Sequence, residues 1–141
     1  MAIQILLDAP KHPARDAAIR SITCVQNKDR EGWLSLWDED GIIEDPVGPS
    51  PLDPEGQGHR GIEKIAAFYD NMIAPNGLRF CIRQTFACGS ECANVGTITT
   101  RLPNNAVSRT ELVMIYRLND AGKVVSLRAF WEFDQTAANI F

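Results

Sequence analysis

The sequence predicts an α+β fold in which helices come first and a run of strands follows. Two stretches, residues 14–26 and 62–73, carry apolar side chains at the three-to-four spacing of a helix. Four later stretches between residues 78 and 133 alternate in polarity and are separated by turn-forming residues. Helices segregated from consecutive antiparallel strands define this class. The 141 residues, 45% hydrophobic and 23% charged, suit one domain spanning residues 1–141 with its own core.

In chain order, residues 1–12 read as an N-terminal arm or edge segment, because Pro10 and Pro13 exclude a helix interior there. His12 reads as a solvated arm residue. In 14–26, Ala18, Ile22 and Val25 form the apolar stripe, with Arg15, Asp16 and Arg20 on the wet side. Asn27-Lys28 breaks the run. Asp29 can then cap a short second helix, with Glu31 in its first turn and Trp33, Leu34, Leu36 and Trp37 as its apolar residues. A strand through Ile42 and Ile43 follows Gly41. Residues 48–58, rich in Pro, Gly, Ser and Asp, read as a loop long enough to be a lid or binding loop. The third helix, 62–73, sets Ile62, Ile65, Ala66 and Tyr69 on one stripe and ends at Pro75-Asn76-Gly77. The strands are then 78–87, 93–102, 107–118 and 123–133, with Asn119-Asp120-Ala121-Gly122 as a tight hairpin turn. Residues 135–141 carry no strong pattern and read as a tail.

The formal net charge of −4 argues against a nucleic-acid surface, which would be basic and clustered. No apolar run reaches the roughly 18 residues of a membrane span, and no cationic leader with a cleavage site precedes one. A cytoplasmic protein is the default. Cys24, Cys81, Cys88 and Cys92 form no Cys-x-x-Cys pair and have only His12 and His59 as potential co-ligands. They read as free thiols, with no metal site and no cofactor expected.

The most informative stretch is Ile42-Ile43-Glu44-Asp45-Pro46. Alternation puts Asp45 on the face of Ile43. If that face is the inner one, Asp45 ends a strand looking into an apolar cavity, where its pKa rises and it becomes a proton carrier. The same residue also suits a turn before proline. An inner sheet face carrying Thr97, Thr99, Met114, Tyr116 and Trp131 would curl over the helices and leave a cone-shaped, mainly apolar pocket.

Four motifs together resemble the bacterial ketosteroid isomerases of the nuclear transport factor 2-like, SnoaL-like superfamily. They are Glu44-Asp45-Pro46-Val47-Gly48, Gly61 through Tyr69, Tyr116 through Val124, and Arg128-Ala129-Phe130-Trp131. The similarity spans roughly residues 14–134. Cys24-Val25-Gln26, Asp29 through Leu34 and the longer loop before the third helix bring it nearest the actinobacterial branch. The resemblance implies a curved antiparallel sheet on three helices, a deep pocket, a steroid-like apolar ligand and a homodimer. It also implies cofactor-free transfer of a proton that shifts a double bond beside a ketone, with Asp45 as general base. The family's oxyanion hole is a tyrosine and a protonated aspartic acid. Aligned on Asp45 and Trp131, those positions hold Ser21 and Met114, so neither donor is kept.

Tyr69 is the first choice as a substitute donor, because a phenol matches a dienolate in acidity. The candidate ligand-lining residues are Ser21, Trp37, Phe68, Thr97, Thr99, Met114, Tyr116 and Trp131. Two other readings stay open: a non-catalytic binding protein for the same kind of ligand, and a hydrolase or cyclase that would use His59 as a second proton carrier.

Overall fold

The computed structural model describes residues 2–138 and 140. It contains helices α1 (Ala2–Asp8), α2 (Pro13–Gln26) and α3 (Arg30–Leu34), then strands β1 (Trp37–Glu44) and β2 (His59–Arg60). Helix α4 (Ile62–Phe68) continues as a π-helical turn, Tyr69–Ile73. Strands β3 (Gly77–Cys88), β4 (Glu91–Arg101), β5 (Val107–Leu118) and β6 (Val124–Phe130) and helix α5 (Phe133–Ala138) complete it.

One six-stranded, unclosed sheet runs in the order β2-β1-β6-β5-β4-β3. The meander β3 to β6 is antiparallel, as expected, while β1 lies parallel to β6. An extra residue on β3, between Ile82 and Gln84, interrupts its pairing with β4 and bends the strand. It also switches parity: Phe80 and Ile82 face inward before it, and Thr85 and Ala87 after it. Gly96 lies opposite Ile82, and a Cβ there would run into the Cys81 carbonyl oxygen. The β5–β6 hairpin turns at Gly122, whose φ of 81° suits glycine. The inner face packs on α2 and α4, with Ile22, Ile43, Ile65, Ile82 and Val124 almost fully buried.

Several local expectations change. Residues 2–8 are a helix, not an arm; Leu6 is only 1% exposed and α1 packs on β3. Pro10 lies beyond α1, and Pro13 is the first residue of α2, where a missing N–H costs nothing. His12 is the cap of α2: its Nδ1 accepts from Ala14 N–H at 3.1 Å. Asp29 caps α3 as expected, accepting from Gly32 N–H at 3.0 Å. Trp37 belongs to β1 rather than to that helix. Of the expected tail, 135–138 lie in α5; residues 139 and 141 lie outside the described residues. Among the described residues, no helix is long and apolar enough to cross a membrane.

Candidate functional site

A cavity of about 290 Å³ lies between the inner sheet face and the helices. Its wall is mostly apolar: Val25, Trp33, Phe68, Met72, Phe80, Ile98, Leu112, Met114 and Leu127 all contribute. Leu52 reaches it from the 48–58 loop, and Phe133 and Thr136 close it from α5.

Asp45 lines this cavity immediately after β1. Ile43, on the same face, is fully buried, and the chain stays tied to β6 beyond Asp45 through Val47 N–H to the Ala129 carbonyl, 2.9 Å. The Asp45-Pro46 peptide is cis. The Trp131 indole N–H donates to Asp45 Oδ1 at 2.6 Å. One carboxylate oxygen is thereby fixed, and Oδ2 has no protein donor among the described residues. Loss of water pushes the Asp45 carboxyl above the usual aspartate range; the Trp131 bond and the charge of His59 oppose that rise. The residue as a whole is half-buried, which fits a side chain whose remaining free surface opens on the cavity.

A second polar group lines the same cavity. The Trp33 indole N–H donates to Ser21 Oγ at 3.1 Å, and Ser21 Oγ is 2.9 Å from the Tyr116 hydroxyl. All three residues line the cavity and are buried. Burial pushes the Tyr116 phenol up to about 12, against the Ser21 hydrogen bond; the Asp45 and Cys92 charges add to the rise.

Of the residues expected to line a pocket, Ser21, Phe68, Met114, Tyr116 and Trp131 do so. Thr97 and Thr99 do not. The β4–β5 register sets Ile98 opposite Thr110, so Thr97 faces Glu111 on the outer side, where it bonds Glu111 and Arg83. Thr99 faces outward with it. Trp37 also lies outside the cavity lining; it packs edge-on against Trp33 at 5.6 Å, and its Nε1 has no hydrogen-bond partner among the described residues. Tyr69 is buried 5.5 Å from Trp33 but does not line the cavity either. Burial raises its phenol, with Arg30 opposing and Asp29, Asp70 and Cys24 adding; Asp45 is not among the charges it feels. Arg30 and Asp70 form a two-point ion pair on that side, at 2.8 and 3.0 Å. His59 is half-buried on β2, its ring 5.1 Å from Phe68, outside the lining.

Sequence reasoning missed Thr100 and Ser108 as cavity residues; it set Thr110 on the face of Met114 and Tyr116 without naming it among the lining residues. The signal was present on β5, because Ser108 and Thr110 share the parity of Met114. Among the described residues, no group of three or more His, Cys, Asp or Glu side chains is placed to hold a metal ion.

The SnoaL-like domain model matches residues 18–127. Among solved structures, a Δ5-3-ketosteroid isomerase from Mycobacterium sp. is 38% identical, with a TM-score of 0.84, 93% of this chain covered and 98% of that one. RV0760c from Mycobacterium tuberculosis, in complex with estradiol-17β-hemisuccinate, is 35% identical at TM-score 0.84, with 93% and 99% covered. A computationally designed 17-OHP binder is 33% identical at TM-score 0.85, with 93% and 98% covered.

Proposed function

The chain belongs to the SnoaL-like domain family, and on that footing we propose that it is a ketosteroid-isomerase-like enzyme acting on a flat, steroid-like ketone. The observation that carries this reading is Asp45, a carboxyl held by one indole N–H at the edge of an apolar cavity. Its free Oδ2 takes the proton from the carbon beside the ketone and returns it to the far end of the shifted double bond. No cofactor is needed, because the carbonyl itself accepts the electron pair. Burial brings the Asp45 carboxyl nearer neutral pH and so improves it as a proton carrier. The direct test is turnover of a 3-oxo-Δ5 steroid, followed by ultraviolet absorbance of the conjugated product.

The acid limb of the rate profile then reports Asp45. The rate falls as Asp45 gains a proton, and the midpoint lies above the ordinary aspartate range. Trp131→Phe removes the hydrogen bond that favours the carboxylate, so the midpoint moves to higher pH. A midpoint that stays in place would detach that limb from Asp45.

Met114, standing where the family carries an acidic donor, favours a second reading: a binding protein for the same ligand class. Quenching of Trp131 fluorescence by steroids, with no turnover of any 3-oxo-Δ5 steroid, would establish it. A hydrolase or cyclase needs a second proton carrier in the cavity, and His59 does not line it.

We also propose a homodimer formed through the outer sheet face. Phe86 and Phe130 are 57% and 40% exposed there, beside half-buried Val113 and Ile115. Sedimentation should give twice the 15.6 kDa chain mass, and Phe86→Asp should halve it. A monomer at micromolar concentration would exclude this assembly. The four free cysteines support a reducing compartment such as the cytoplasm as its place of work.

A further inference from the structure

We propose that Tyr116 is the hydrogen-bond donor to the ligand's ketone oxygen, and that Ser21 and Trp33 are positioning residues that aim it. This rests on the steroid-ketone reading above. The direction of the chain follows from what each group can do. An indole nitrogen only donates, so Trp33 must give its hydrogen to Ser21 Oγ. Ser21 has one proton, and among the described residues the Tyr116 oxygen, at 2.9 Å, is there to accept it. When Ser21 donates, the Tyr116 proton has no acceptor among the described residues. It then turns into the cavity that Tyr116 lines.

A ketone oxygen in that cavity completes the series: Trp33 to Ser21, Ser21 to Tyr116, Tyr116 to ligand. Each donor polarises the next, which strengthens the last bond as negative charge builds on the ketone oxygen. Burial keeps the phenol protonated through neutral pH, so the donor is present in that range whether or not Asp45 is ionised. No proton need leave Tyr116. The electron pair freed at carbon by Asp45 moves to the ketone oxygen and returns when the proton is redelivered. The serine that stands on α2 in place of the family's tyrosine is thus tied to a phenol on β5, which approaches the cavity from the opposite wall.

The test is the infrared carbonyl band of a bound, non-reacting 3-oxo-Δ4 steroid, read beside turnover of the 3-oxo-Δ5 steroid. In the parent protein the band should lie below its frequency in water. Tyr116→Phe should return it upward and lower kcat by about 10²–10³-fold. Ser21→Ala should keep part of the band shift and cost less in kcat, because the phenol remains but is less firmly aimed. A bound steroid whose band is unchanged in Tyr116→Phe overturns the donor assignment and leaves the isomerase reading intact. So does Ser21→Ala abolishing the shift while Tyr116→Phe retains it. If the parent binds no 3-oxo steroid, the steroid-ketone reading fails and the assignment falls with it.

Discussion

Asp45→Asn should lower kcat on a 3-oxo-Δ5 steroid by about 10²–10⁴-fold, the contribution of a positioned general base, while the steroid still binds. Asparagine keeps the shape and can still meet the Trp131 indole, but it cannot take a proton from carbon. The same substitution has an opposite effect on stability. Burial holds the Asp45 carboxyl above its ordinary range. Between the unfolded and folded titration points, the native state therefore binds the extra proton. The stability contributed by this group is complete in acid and is lost as pH rises through the folded pKa. Asparagine carries no ionisation cost, so at pH 7 the variant should resist urea better than the parent. That advantage should vanish below the ordinary aspartate pKa. Unchanged turnover in the variant would remove Asp45 as the base.

Trp33→Ala should cost about 3–5 kcal/mol, the range for emptying a buried aromatic site. Trp33 is 1% exposed and sits between Trp37, at 5.6 Å, and Tyr69, at 5.5 Å. It also supplies the N–H that Ser21 accepts. Alanine leaves a void where the rings met and an acceptor without its donor. A domain of this size has roughly 5–15 kcal/mol in total, so the variant should be marginal at 37 °C. The urea midpoint should fall with the slope unchanged. A loss under about 1 kcal/mol would mean that the neighbouring rings collapse into the space.

Trp33 also shows where sequence reading works and where it stops. Its place on a short helix followed from Asp29 as a cap, a local signal within three residues. Its bond to Ser21 joins α3 to α2, and Ser21 in turn meets Tyr116, 95 residues later. No local pattern encodes that meeting. Tyr69 and Trp37 illustrate the same limit. Both are buried as their patterns required, yet helix docking set one against Trp33, with its phenol under the influence of Arg30, and β1 carried the other out of the cavity lining. On β4, threonine at positions 97, 99 and 100 gave no clean alternation, and Asn94 and Gly96 concealed the inner parity.

The sequence alone determined the α+β class, the periods of α2 and of the strands, the inner parity of β5, and the sharing of one face by Ile43 and Asp45. These follow from a backbone whose side chains repeat at fixed intervals. Only the tertiary structure decided which face of β4 is inside, that residues 2–8 pack on β3 as a helix, and that Trp131 holds Asp45 while Ser21 holds Tyr116. A period assigns residues to faces. Cross-strand pairing and helix docking choose which face is buried and what it meets there.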